Sequence, residues 1–369
     1  MAAIFNTQKA YLLEGFKVAQ KVIGRSAKKA ESVIQLVEDG DGIQLRASNP
    51  GLCYLTWTVP GVGDVPFKHI VAPLDALRAV VERMPAEDIS IRTDPKDPNK
   101  LTIRCGQRSG KLPVADDVPV FVSASSDAKT VYTGEMKDIS TAIKQFDKVS
   151  LGGFNAWGCV CATPEGVGYC TDEGNLLALP FPIVKKADHP VMLPTKVLIP
   201  ATLLQGEVDV KLTDEHFTLE NKGWSFTMTL TYVQAPNYKR VVDRFADKQM
   251  LPIDLQPITK EVKDFRKACK EGSLHVSVSN GKLKVRAARD AAIRYQSETE
   301  IGEAPDVDFT VIPENYLKIG PFFKKDVKVA QLDGSHLFLS SRDCTGIISC
   351  HDRTIEFKQG VNREHNDQP

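Results

Sequence analysis

HIVAPLDALRAVVERMPAEDISIRTD (His69–Asp94), HPVMLPTKVLIPATLLQGEVDVKLTD (His189–Asp214) and DFTVIPENYLKIGPFFKKDVKVAQLD (Asp308–Asp333) share one punctuation: an apolar stretch, a proline, a helix-like segment, an alternating strand and an acidic turn. The prolines Pro73, Pro194 and Pro313 lie 121 and 119 residues apart (194 − 73 and 313 − 194), and the aspartates Asp94, Asp214 and Asp333 lie 120 and 119 apart. Two independent markers keep one period, the signature of a tandem array. Proline at the first helical position loses only an N–H that would be orphaned there, so each predicts a helix start. Aspartate suits the turn that follows. Ile89 and Ile91, Val208, Val210 and Leu212, and Val327 and Val329 alternate with polar residues at the period of a half-buried strand, and LTIRC, HFTLEN and HLFLSS offer each a partner.

Upstream of each copy lies a related half. It opens on an amphipathic segment (QKAYLLEGFKVAQKVI, MKDISTAIKQFDKV, EVKDFRKACK) and continues into strands such as SVIQLVEDGDGIQLRAS and SLHVSVSNGKLKVRAAR. A unit therefore reads helix, strands, helix, strands. This predicts an α+β protein of three tandem like-folded domains, spanning residues 1–125, 126–250 and 251–369, the last ending in the polar tail GVNREHNDQP.

Composition narrows the function. Lysine plus arginine (47) balances aspartate plus glutamate (47), so nucleic acid is not held by the whole surface, although one face can still be basic. The eight cysteines include no CxxC pair and sit in apolar surroundings, as reduced core residues do. No run approaches the roughly 18 apolar residues of a spanning helix, and the start MAAIFNTQKAYLLEGF lacks the layout of a secretory signal, so a cytoplasmic protein without membrane contact is expected. Gly106–Lys111 has the wrong spacing for a phosphate loop, there is no HExxH, and the seven histidines are dispersed. No catalytic residue, metal or cofactor is expected. Cys159 and Cys161 alternate on one strand and read as core.

The charge that matters recurs on the helices. Lys9, Lys17, Lys21, Arg25, Lys28 and Lys29 outnumber Glu14 around the first; Lys137, Lys144 and Lys148 follow in the second unit; Lys260, Lys263, Arg266, Lys267 and Lys270 in the third. Lys196 stands on the later helix of the second unit, and Lys318, Lys324 and Lys325 are expected on that of the third. With helices turned inward, such lysines would meet the phosphates of duplex DNA through screened, sequence-blind attraction that permits sliding.

Two further segments carry a resemblance. Trp157-Gly158 through Thr171-Asp172-Glu173-Gly174-Asn175-Leu176-Leu177-Ala178 is similar to an NGxxF…ATDGHRLA segment, and VQAPNYKRVV (Val233–Val242) to FPDYRRV. Both belong to the bacterial β sliding clamps, processivity subunits of the replicative DNA polymerase, which the chain resembles over almost its whole length. The resemblance implies three clamp domains per subunit and a head-to-tail homodimeric ring, helices inside and sheets outside. It also implies a groove that takes short linear motifs of DNA polymerase and the clamp loader. The matching groove positions are Ala156, Thr171, Gly174, Asn175, Leu176, Leu177, Pro236, Arg240 and Val241, with Ile348 and Cys350 as the third wall. Departures are the added Glu173, Asn175-Leu176 in place of His-Arg, and IISCHDRTIEFKQG in place of a Met-Pro-Met end.

The expected DNA-facing set is Lys9, Lys17, Lys21, Arg25, Lys144, Lys148, Phe154, Lys196, Lys263, Arg266, Lys267 and Lys318; Arg25 and Phe154 rest on the resemblance. At the ring contact the family's edge-strand aromatic falls near Gly110, leaving Arg104, Arg108 and Lys111 to face Glu298, Glu300 and Glu303 of a second copy. The function implied is a non-catalytic DNA sliding clamp that confers processivity. The rivals are a clamp-fold interaction protein that binds clamp partners without encircling DNA, and a thiol- or metal-dependent hydrolase on the same scaffold.

Overall fold

Local spacing decides the long helices in the computed structural model, which describes residues 4–24, 32–40, 42–85, 87–94, 97–114, 127–172, 174–245, 247–269, 271–287, 295–332, 335–342 and 344–350. In chain order the α-helices among these are α1 (Lys9–Ile23), α2 (Leu74–Glu82), α3 (Met136–Val149), α4 (Thr195–Leu198), α5 (Tyr238–Asp243), α6 (Gln256–Ala268) and α7 (Pro313–Ile319). Leu12, Phe16 and Ala19 of α1, Ile139, Ile143 and Phe146 of α3, and Ile258, Val262 and Phe265 of α6 are buried at i, i+4 and i+7. Each large side chain on such a stripe contributes roughly 1.5–3 kcal/mol by leaving water. The predicted segments for α1 and α3 match the helices, whereas α6 begins five residues earlier than EVKDFRKACK because Pro257 opens its first turn.

The second helix of each repeat differs from expectation in an instructive way. Pro313 occupies a first-turn position of α7, but Pro73 and Pro194 are N-cap residues, with ψ of 122° and 116°. The fixed φ of proline suits the extended cap as well as the first turn. Pro200 and Pro321 then deny the later turns an N–H donor, and both repeats continue as 3-10 helix, over Ile199–Leu203 and Gly320–Phe322. The first repeat has no proline there, and α2 stays α-helical for nine residues. Within each repeat the two helices pack together: α1 on α2, α3 on α4 and its 3-10 extension, α6 on α7.

The chain divides into two compact units, residues 1–170 with 180–236, and residues 171–179 with 237–369. In the first unit one sheet has the strand order Gly61–Gly63, Phe5–Gln8, Asp88–Asp94, Asp97–Cys105, Arg108–Pro113. An eight-stranded sheet joins repeats one and two: Lys129–Glu135, Glu207–Leu212, His216–Glu220, Trp224–Thr229, Cys53–Val59, Gly42–Asn49, Val33–Asp39, His69–Pro73. Its central seam is antiparallel, with Trp224 opposite Trp57 and Met228 opposite Cys53. Cys159–Ala162 pairs with Val167–Thr171 and with Val191–Pro194 in a further antiparallel layer.

The second unit holds Leu176–Pro180, Thr345–Ser349, His336–Ser340, Lys328–Leu332 and Leu251–Pro252 in that order, and a four-stranded sheet of Gln296–Glu300, Lys282–Ala287, Leu274–Ser279 and Val307–Val311. Asn280 and Gly281, at φ of 50° and 73°, turn one hairpin of that sheet as the Asn-Gly pair does best. The expected alternating strands and their partners are present in all three repeats. Asp94 ends its strand opposite Asp97, buried and ion-paired with Lys111 at 2.6 Å, while Asp214 stands between the strands Glu207–Leu212 and His216–Glu220. Asp333 lies outside the described residues.

Among the described residues all eight cysteines are free and seven are buried, only Cys344 being partly exposed. Burial pushes the thiols of Cys53 and Cys350 up to about 12 and that of Cys161 up to about 11, keeping them protonated and inert near neutral pH.

Candidate functional site

Superposing the buried stripes of α1, α3 and α6 aligns their exposed faces too. One residue beyond the middle core position stands Lys17, Lys144 or Lys263, and four residues further Lys21, Lys148 or Lys267. All six are exposed. Residues at i and i+4 share a helix face, so each repeat shows a pair of ammonium groups on the side opposite its core. Lys17, Lys21, Lys144 and Lys263 have no carboxylate partner among the described residues, and Lys267 pairs with Asp264 at 3.1 Å. On α6 the stripe deepens into a cleft of about 590 Å³ lined by Lys260, Lys263, Lys267 and Lys324 against the single carboxylate of Asp264. Lys324 and Lys325, expected on the later helix, stand instead beyond its 3-10 extension, and Lys324, outside the expected DNA-facing set, reaches the cleft from there.

The other expected DNA-facing residues divide. Phe154 is 49% exposed and Leu151 55%, on the loop after α3 that turns through Gly152 and Gly153. Lys196 is exposed and pairs with Asp147 at 2.7 Å; Arg266 pairs with Glu314 at 2.6 Å. Two lysines have structural work instead. Lys9 donates to the carbonyls of Glu82 and Met84, both at 3.0 Å, and so caps the C-terminal end of α2. Lys318 pairs with Asp172, whose side chain is only 3% exposed. Arg25, Lys28, Lys29 and Lys270 lie outside the described residues.

That aspartate organises the turn Thr171–Asn175. Its Oδ1 accepts from the backbone N–H of Gly174 at 3.3 Å and of Asn175 at 2.8 Å, and the Asn175 amide donates to both carboxylate oxygens at 3.0 and 3.1 Å. Thr171 donates its hydroxyl to the Asn175 carbonyl at 2.6 Å, and the Asn175 side-chain oxygen receives the Ser349 N–H at 3.4 Å. The turn is thereby fastened to the strand Thr345–Ser349 and, through Lys318, to α7. Sequence reasoning missed this pair because its members stand 146 residues apart.

The expected groove positions divide as well. Arg240 and Val241 are exposed on α5, whose first turn is capped by the Asn237 side chain accepting the Arg240 N–H at 3.0 Å, and Gly174 is half-buried beside Ser349. Leu177 and Ile348 are fully buried, and Asn175, Leu176, Thr171 and Cys350 nearly so. Ile319 and Phe323 close over Gly346, where a Cβ would come within 2.7 Å of each, so these strand side chains belong to the core of the second unit. Ala156 and Pro236, both half-buried, belong to the first unit. Glu173 and residues 351–369 lie outside the described residues.

Two sheet edges carry opposite charge. Arg108–Pro113 is an outer strand, with Arg104, Arg108 and Lys111 exposed, and Gln296–Glu300 is another, with Glu298, Glu300 and the following Glu303 exposed. Glu298 is already met by Lys282 at 3.4 Å and Lys284 at 3.7 Å. Gly110, where the resemblance places an aromatic, lies under α2: a Cβ would sit 2.4 Å from Val80.

No family model matches the chain, and no curated protein does. Solved structures do. The DNA polymerase sliding clamp of Bacillus subtilis superposes with a TM-score of 0.82 at 14% identity, covering 96% of this chain and 100% of that one. The sliding clamp of Pseudomonas aeruginosa, DNA polymerase III subunit β, in a complex with griselimycin, gives 0.80 at 19% identity over 95% and 100%. That of Caulobacter crescentus gives 0.79 at 20% identity over 94% and 99%. The fold is the sliding-clamp fold, shared over 94–96% of the chain.

Proposed function

We propose that the chain is a DNA sliding clamp, the counterpart of a DNA polymerase III β subunit, acting in the cytoplasm without catalysing a reaction. The recurrence of lysine at two equivalent exposed positions on α1, α3 and α6 carries this reading. Core packing explains recurring apolar residues, but it places no demand on an exposed position, so a recurring charge there points to a common polyanion. Duplex DNA fits: phosphate contacts by exposed lysines are individually weak, blind to sequence and screened beyond about 10 Å, which lets the protein slide.

Weak contacts hold a protein on DNA only if the link is topological. Three clamp domains per chain, 1–125, 126–250 and 251–369, would close with a second copy when the basic edge at Arg104, Arg108 and Lys111 meets the acidic edge at Glu298, Glu300 and Glu303 of that copy. Joining two free strand edges also hides them from aggregation. A polymerase or clamp loader would attach by a short linear motif beside Gly174, Arg240 and Val241, which keeps it at the DNA at high effective concentration. The test is solution mass by light scattering with particle images of the same sample, followed by retention on nicked circular against linearised plasmid after loading. A dimer with a central hole, retained on circles and lost from linear ends, is expected. A chain that stays monomeric across concentrations, or leaves circles as fast as linear DNA, refutes the reading.

A further inference from the structure

Among the described residues the acidic edge strand Gln296–Glu300 has a single strand neighbour, Lys282–Ala287, with the register Ser297 opposite Val285 and Glu298 opposite Lys284. A terminal strand with one ladder frays more readily than an interior one. Here a helix residue supplies a second hold. Glu261 of α6 accepts, on the one oxygen Oε2, the hydroxyl of Tyr295 at 2.7 Å and the hydroxyl of Ser297 at 2.6 Å. The Tyr295 ring stands edge-on to Phe265 of the same helix, centroids 5.4 Å apart at 73°, and Phe265 is fully buried. Burial and the Glu261 bond push the Tyr295 phenol up to about 12, so it remains a donor through the neutral range.

Side chains alternate along a strand, so turning Ser297 to the helix turns Gln296, Glu298 and Glu300 to the other face. We infer that Glu261 is a positioning residue for the subunit contact: by gripping Tyr295 and Ser297 it fixes the register and outward face of the strand that meets a second copy. The inference rests on the ring reading above. Neither Lys282 nor Lys284 can do the same, because both lie on the neighbouring strand and move with it.

The experiment compares wild type, Glu261→Ala, Glu261→Gln and Tyr295→Phe by amide hydrogen exchange and by a dilution series of solution mass. Loss of two charge-assisted bonds in Glu261→Ala should speed exchange across 296–300 about tenfold and raise the dimer dissociation constant about tenfold, with 274–279 unchanged. Glu261→Gln keeps an acceptor oxygen and should fall between. Tyr295→Phe, which preserves the packing on Phe265, guards against a variant that fails to fold and should move both readouts by about threefold. Wild-type exchange in the edge strand of Glu261→Ala, or faster exchange with an unchanged dissociation constant, overturns the inference. A wild type that never dimerises sinks the ring reading and the subunit role together, while the exchange data still report whether Glu261 holds the strand.

Discussion

Replacing Lys318 with methionine strands a carboxylate that the fold has taken out of water. Asp172 keeps 3% of its side-chain surface exposed, and Lys318 keeps 30%. Removing one partner of a fully buried ion pair typically costs about 3–5 kcal/mol. Asp172 retains hydrogen bonds from Gly174 N–H, Asn175 N–H and the Asn175 amide, which continue to stabilise its charge, and the lysine end is partly solvated. The expected loss is therefore about 2 kcal/mol for the second unit, or a fall in its melting temperature of about 4–8 °C. Urea unfolding of the whole chain, followed by exchange protection of strand 345–349, measures it where it acts. The double variant Asp172→Asn with Lys318→Met removes both charges and should recover to within about 1 kcal/mol of wild type. If Lys318→Met alone lies within about 0.5 kcal/mol of wild type, the pair behaves as an exposed one and the anchoring role is wrong.

Changing Lys260 and Lys263 together to alanine should flatten the salt dependence of DNA retention by about one unit of slope for each phosphate that is no longer neutralised, with stability altered by no more than about 0.5 kcal/mol; unchanged slope would remove α6 from the DNA surface. Gly110→Ala should destabilise by about 1–3 kcal/mol through its clash with Val80, and adding Val80→Ala should restore most of the loss in thermal unfolding. For the buried thiols the folded state holds its protons above the ordinary value of 9.0, so the unfolded chain releases them first. Stability should accordingly fall as pH rises above about 9, by up to about 1.4 kcal/mol per pH unit for each such thiol, and Cys53→Ala should give a shallower decline than wild type.

The helices α1 and α3 were legible almost to the residue because an amphipathic stripe is a local property, written within one window of sequence. The repeat period was legible because Pro73, Pro194 and Pro313 mark equivalent boundaries whether they act as caps or as first-turn residues. What escaped depends on distant neighbours. Lys9 looks like any surface lysine until the chain returns 73 residues later with the Glu82 carbonyl. Leu177 and Ile348 follow a family pattern of groove residues, yet strand pairing and the α7 cover put both inside. Glu261 shows nothing in sequence that separates it from its acidic neighbours on a helix, since Tyr295 and Ser297 lie 34 and 36 residues away.

The seam between Cys53–Val59 and Trp224–Thr229 has a consequence for the growing chain. The partner of Cys53 is Met228, 175 residues downstream (228 − 53). At about 5–20 residues per second, a ribosome needs roughly 10–35 s to deliver it. Through that interval the nascent first repeat carries the strand CYLTWTV with one ladder open, a hydrophobic edge available to any other unfinished chain. Slow translation through residues 60–220, or too little chaperone, should therefore lower the yield of soluble protein more than any comparable delay after Thr229.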